Sequence, residues 1–367
     1  MAEHYTARIG FELGWDLAYF GRTLDFDSCN PDVRDGFRAG QRHFGRFARR
    51  PDRFELKWLQ LRLGAFARHR IVQAEVTPDY LRSIDCAACP VTLTTLTHSR
   101  CLDSDWSVDR INNDGAYAHG NLMIISRRTN EIKGRKTYQE VAALARDGYP
   151  PGGLSRTEWA RLACLMFGAH HLDDSDLDSS PGPLLTRIPP RCPAPLYFHF
   201  QQALVSTARN AGFRNLLLRA LNSAHPDRDQ RRRLIIASER LALLIKEVPY
   251  EYQALADARV QCFLEGWFRS LPEDAAGNLL KIAKVFGRPE FDGAVLHDWA
   301  LPSHGYFVDT EPRRGSGSEK STTPLDRLHP QHTVGPGMTL PAAAVANQDN
   351  YTQPLQHQRR AAGSSID

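Results

Sequence analysis

The side chains with the most chemical potential lie between Cys86 and Lys136. Asp109, Asn121 and Asn130 carry carboxylate and amide oxygens. These are hard donors, of the kind suited to magnesium, which keeps several waters and needs few protein ligands. Arg127, Arg128, Lys133, Arg135 and Lys136 follow closely and suit phosphate contact. His98 and His119 are the imidazoles available for proton transfer. Arg110 stays protonated at any relevant pH, so it offers a cation beside Asp109 and no general base. Upstream, Cys86-Ala87-Ala88-Cys89 is a thiol pair at metal-ligand spacing.

Local rules predict the elements that must position these groups. Trp106 to Ile111 alternates and is rich in strand formers, Asn113-Asp114-Gly115 is a turn signal, and Leu122 to Ile125 reads as a second strand. Ser126 is placed to cap a short helix running to about Lys136. Strand, loop, strand, helix is the expected order. A hairpin folded over a helix brings Asp109 close to Asn130, 21 residues later in the chain.

The run from Val108-Asp109-Arg110-Ile111 through Asn112-Asn113-Asp114-Gly115, Asn121-Leu122 and Ser126-Arg127-Arg128-Thr129-Asn130-Glu131-Ile132-Lys133-Gly134 resembles the ββα-metal motif of HNH endonucleases. It is most similar to the variant with a DRI(D/N)NDG signature, and the resemblance covers residues 84–137. It implies that Asp109 and Asn130 hold a divalent ion, magnesium or manganese. It also implies that Asn121, nine residues before Asn130, is structural. The resemblance implies hydrolysis of phosphodiester bonds, with DNA favoured over RNA; such cleavage needs a metal to stabilise charge and an activated water.

The chain departs from the family in three ways. Arg110 stands where the catalytic His usually is, which leaves it to contact phosphate and makes His119 or His98 the alternative imidazole. Ser126-Arg127-Arg128-Thr129 replaces the second cysteine knuckle, so structural zinc is not expected; Cys86, Cys89, His98 and Cys101 would be its ligands. Most of the chain lies outside the motif. An inactive nucleic-acid-binding protein that kept the fold is therefore the competing expectation.

The whole chain has 367 residues, 42% hydrophobic and 24% charged, ordinary for a globular protein with a buried core. Its formal net charge of +4 is compatible with nucleic acid but does not argue for it alone. No apolar run is long enough for a membrane span, and the N-terminus has charges where a signal peptide needs an apolar stretch. Seven scattered cysteines suit a reduced, cytoplasmic protein.

The expected fold class is α+β: a mostly helical chain around a central HNH-like hairpin-helix module. The expected divisions are a basic helical segment (1–80), the module (81–148), a helical domain (154–307) and a disordered tail (308–367). In the first segment, Gly14-Trp15 and Gly36-Phe37 echo one another and predict two helices packed at their glycines. Gly36 to Gly40 is also faintly similar to ribosome modulation factors, which implies a ribosome-associated role as a third reading. Phe54, Trp58, Leu61 and Ala65 form a helical stripe. The surrounding Arg42, Arg46, Arg49, Arg50, Arg53, Lys57, Arg62, Arg68 and Arg70 form either a solvated face or a phosphate-binding one. Ser155 and Glu158 predict a capping box, and long helices are expected near 196–222 and 231–247.

Overall fold

A computed structural model of the chain describes residues 2–26, 29–147, 153–170, 182–272 and 275–287. The tail expected over 308–367 lies outside these residues. Two compact units are present, one spanning residues 3–50 and the other beginning at Pro51.

In the first unit, α1 (Ala2–Tyr19) is followed by α2 (Pro31–Phe44). Asn30 caps α2 by accepting from the Asp32 amide, and Pro31 occupies the first turn, where its missing N–H costs nothing. The two helices meet at glycines. A Cβ on Gly14 would collide with the Val33 carbonyl, and one on Gly36 with that of Phe11. Trp15 fills the seam, its ring 5.1 Å from both His43 and Phe44. This is the glycine-and-aromatic packing expected from the repeated Gly-aromatic pairs.

The second unit opens with α3 (Arg53–Ala67), started by a full capping box between Asp52 and Glu55. After α4 (Pro78–Ser83), strands β1 (Trp106–Arg110) and β2 (Leu122–Ser126) pair antiparallel, with Asp109 opposite Met123 and Trp106 opposite Ser126. Helix α5 (Arg127–Lys133) follows β2 without a break, because the Ser126 hydroxyl accepts from the Thr129 amide as its N-cap. Gly134, at φ +52°, ends α5 three residues short of the expected Lys136; a positive φ is easy for glycine. The fold is thus mostly helical, with one two-stranded sheet among the described residues.

Helices α6 (Tyr138–Asp147) and α7 (Arg156–His170) come next, the latter with the expected reciprocal Ser155–Glu158 bonds. The single helix expected near 196–222 is instead two, α8 (Leu196–Ala208) and α9 (Ala211–Ser223). Asn210 breaks it: its backbone is extended and its side chain caps α9 at the Phe213 amide. Its side chain competes for the backbone, which favours a cap over a helix interior. Then come α10 (Arg228–Leu244), α11 (Ala258–Arg269) and α12 (Ala275–Gly287).

One hydrophobic core runs from Phe54 to Leu279, so the boundaries expected near 80 and 154 are not gaps in the packing. All five residues of β2 are buried. Polar bonds clamp the helical region onto the hairpin region. Arg161 donates to the Val91 carbonyl (3.1 Å), and Thr186 to that of Pro90 (2.6 Å). No helix among the described residues is long and apolar enough to cross a membrane.

Candidate functional site

The site begins with two rungs between β1 and α5. Asn130 Nδ2 donates to Ser107 Oγ at 2.8 Å, and Lys133 Nζ pairs with Asp109 Oδ2, also at 2.8 Å. Residues two apart on a strand share a face, as do residues three apart on a helix, so the rungs are neighbours. Asp109 and Asn130 therefore sit on adjoining rungs between β1 and α5.

Lys133 differs from its expected role. It is fully buried, and its ammonium also donates to the Arg110 carbonyl (2.9 Å) and to Asn113 Oδ1 (3.1 Å). A group so enclosed does not meet phosphate. Buried charges require partners: the Arg110 carbonyl and Asn113 Oδ1 accept hydrogen bonds from this ammonium, while Asp109 Oδ2 meets it as a close ion pair without hydrogen-bond geometry.

Arg110 also departs from expectation. Alternation along β1 turns it away from the face of Asp109. It is buried, and Nη1 donates to the carbonyls of Asn113 (2.7 Å) and Gly115 (2.8 Å), with the guanidinium 5.1 Å from the Tyr117 ring centroid. Arg110 organises the loop after β1 and does not present a charge to phosphate. Asn121 works on the same loop. Its Oδ1 accepts from the Asn112 amide, while Nδ2 donates to the Asn112 and Ala116 carbonyls, all at 2.8–3.0 Å. Asn112 adds an Asx turn by accepting from the Asp114 amide.

The two imidazoles lie elsewhere. His119 Nε2 is 2.8 Å from Arg191 Nη1, and its ring packs 4.8 Å from that of Tyr80. Burial and then Arg191 hold its pKa below the ordinary histidine value. Since arginine can only donate, the Nε2 lone pair is already in use. His98 Nε2 meets Arg53 Nη1 at 3.1 Å, and its ring sits edge-on to Trp106. No bond joins either ring to Asp109 or Asn130 among the described residues.

The remaining cations of α5 and of the two residues beyond its Gly134 cap vary in availability. Arg127 is tied to Asp103 at 2.7 Å, and Lys136 turns back to the Ile132 carbonyl. Arg128 is exposed and donates once, to Gly153, while Arg135 is exposed. The wider basic set is split: Arg42, Arg46, Arg49 and Arg50 belong to the first unit, and the others to the second. There Arg53 pairs with Asp85 at 2.6 Å, Lys57 donates to the Trp106 carbonyl, Arg62 stacks on Trp58, and Arg68 meets the Tyr117 hydroxyl.

The cysteine pair sits beside the start of α5. Cys89 Sγ is 3.5 Å from Thr129 Oγ1, which is 2.8 Å from Ser126 Oγ, and Cys86 Sγ contacts the Ile124 carbonyl at 3.6 Å. Burial, with Asp85 adding to it, pushes the Cys86 thiol up to about 12. Burial would raise Cys89 too, but hydrogen bonds with Thr92 and Thr129 outweigh it and leave that thiol below its ordinary value. Cys101 is exposed and His98 is engaged with Arg53, so the four residues that would be the ligands of a zinc ion are not gathered around one. No group of three or more His, Cys, Asp or Glu side chains among the described residues is arranged to hold a metal ion.

No family model, curated protein or solved structure matches the chain. Its own geometry therefore carries the functional argument. Two residues were invisible in that role from sequence: Ser107, which orients Asn130, and Arg191, which engages His119 from 72 residues away. Lys133 had a usable signal, since it lies three positions after Asn130 on the helix.

The donor set suits a hard divalent cation. The N–H end of the Asn130 amide is held by Ser107, which leaves its oxygen as the free end. Asp109 uses one oxygen on Lys133 and keeps the other, and its side chain is 12% exposed. Two hard oxygen donors are too few to enclose an ion, but they suit one that retains water.

Proposed function

We propose that this chain is a metal-dependent, HNH-like endonuclease that hydrolyses phosphodiester bonds in the cytoplasm, with DNA preferred over RNA. The observation that carries the reading is the pair of adjoining rungs that sets Asp109 and Asn130 on one face of the hairpin-helix unit. When bound there, magnesium or manganese would stabilise charge on the phosphoryl and leaving oxygens. Asp109 and Asn130 hold it, and Ser107 aims the Asn130 amide. Asn121 and Arg110 keep the loop after β1 in shape. Arg128 and Arg135 meet the phosphate backbone, where their contacts fix position rather than read sequence. The seven free thiols suit a reducing compartment.

The competing reading, a binding protein without catalysis, is favoured by one observation. Both imidazoles are engaged away from Asp109, and Arg110 takes the place of a base. Cleavage of single- and double-stranded DNA and of RNA in magnesium or manganese separates the two. Under the nuclease reading the wild type cleaves, and Asp109→Ala lowers the rate at least about 100-fold while binding persists. Salt-sensitive binding with no cleavage in either metal would overturn the nuclease reading in favour of the binding one.

A further inference from the structure

Lys133 is among the largest fully buried side chains of the protein, and its ammonium ends on three oxygens. Such a set, one carboxylate with a carbonyl and an amide oxygen, is chemically what a hard metal ion also takes. The chain therefore already supplies a cation beside Asp109. Arg110 adds another positive charge on the loop that Lys133 ties down, through bonds to Asn113 and Gly115. Asp109 is the one carboxylate that these contacts bring to the site. Lys133 cancels its charge, so the protein alone has little electrostatic pull on a divalent ion.

We propose that Lys133 is a positioning residue that fixes the Asp109 carboxylate and keeps divalent-ion affinity low until a nucleic-acid phosphate supplies the missing negative charge. The proposal rests on the nuclease reading above. It adds that metal and phosphodiester bind cooperatively, with Lys133 setting the threshold. Removing the ammonium frees an Asp109 oxygen and takes away a like charge. A unit charge a few ångströms from an ionising group commonly changes its proton affinity by tenfold or more, and the same electrostatics act on a metal.

Manganese titration followed by electron paramagnetic resonance tests this without any need for turnover. The proteins are the full-length wild type, Lys133→Met, Lys133→Gln and Asp109→Ala, each checked for fold by near-UV circular dichroism. Lys133→Met and Lys133→Gln should bind manganese at least about tenfold more tightly than wild type in the absence of nucleic acid. A lysine that was merely structural would, on removal, loosen the site and weaken binding. A nuclease-resistant phosphorothioate DNA duplex should tighten manganese binding to wild type by a similar factor, and this comparison stands even if a lysine variant fails to fold.

Tight manganese binding by wild type alone, abolished in Asp109→Ala, would overturn the role of Lys133 and leave the nuclease reading in place. So would lysine variants that bind no more tightly than wild type, or a duplex that leaves wild-type affinity unchanged. Manganese binding in the presence of the duplex that is the same in Asp109→Ala as in wild type would bring down both.

Discussion

At the scale of single residues, Arg110 shows how a motif position can change employment. In the HNH-like reading this position would carry the base, yet the guanidinium bonds two loop carbonyls and packs on Tyr117. A histidine there reaches fewer of those partners and leaves buried acceptors unmet. Arg110→His should therefore lower stability by roughly 2–3 kcal/mol, the scale of lost hydrogen bonds to a charged group. Cleavage should not rise. Urea denaturation alongside a cleavage assay checks both, and faster cleavage at unchanged stability would return this position to the reacting face. The residue types around Asp109 were legible from the sequence as hard donors and cations. Their employment was not: Lys133 and His119 are assigned by long-range contacts with Asp109 and Arg191, and Arg110 by the particular fold of the loop that brings the Asn113 and Gly115 carbonyls to it.

At the scale of elements, the start of α5 holds a hydrogen-bonded cluster where a second thiol pair would complete a zinc site. Ser126 caps the helix and bonds Thr129, which in turn bonds Cys89. The 3.5 Å between Cys89 Sγ and Thr129 Oγ1 is close to the edge of a zinc–thiolate tetrahedron, about 3.8 Å for bonds of ~2.3 Å. Neutral hydroxyls do not hold zinc there, but two more thiolates should. The double variant Ser126→Cys/Thr129→Cys is expected to purify with one zinc per chain and to melt at higher temperature, whereas the wild type takes up none. Elemental analysis decides; a double variant free of zinc after refolding in excess metal would show that Cys86 and Cys89 are misplaced for such a site. The strands, the capped helix and the capping box of α7 all obey local rules, which is why their sequences announce them; the Asp52–Glu55 box of α3 obeys the same rule but emerged only in the structure. The break at Asn210 was missed because the apolar pattern on either side continues in helical phase, and a single cap residue outweighs it.

At the scale of the whole molecule, the helical region that packs on the hairpin contains a buried titrating group. His199 on α8 is 7% exposed, its Nδ1 has no partner, and burial drives the imidazole down to about 4. Between that value and its ordinary 6.5 the unfolded chain binds the extra proton, so stability rises with pH across this window. The stabilising neutral form is complete above about 6.5 and is lost as pH falls toward 4, a difference of about 3 kcal/mol. Chemical denaturation at pH 7 and pH 5 should show the loss, and His199→Leu should flatten it. An equally steep pH dependence in the variant would assign the effect to other groups.

The sequence by itself determined the hairpin-helix unit, the glycine-packed N-terminal helix pair, and helices α7 and α10 of the C-terminal region. Each of these follows from periodicity, turn residues, caps or close-approach glycines acting over a few residues. Only the tertiary structure decided that one core joins α3, the hairpin and the later helices, since Phe54 and Leu279 share it across more than two hundred residues. It alone also buried Lys133 against Asp109 and held His119 on Arg191. A charged side chain of a given type reads the same in sequence whether it meets solvent, phosphate or a carboxylate. Which of these it meets depends on desolvation and on partners brought from distant parts of the chain.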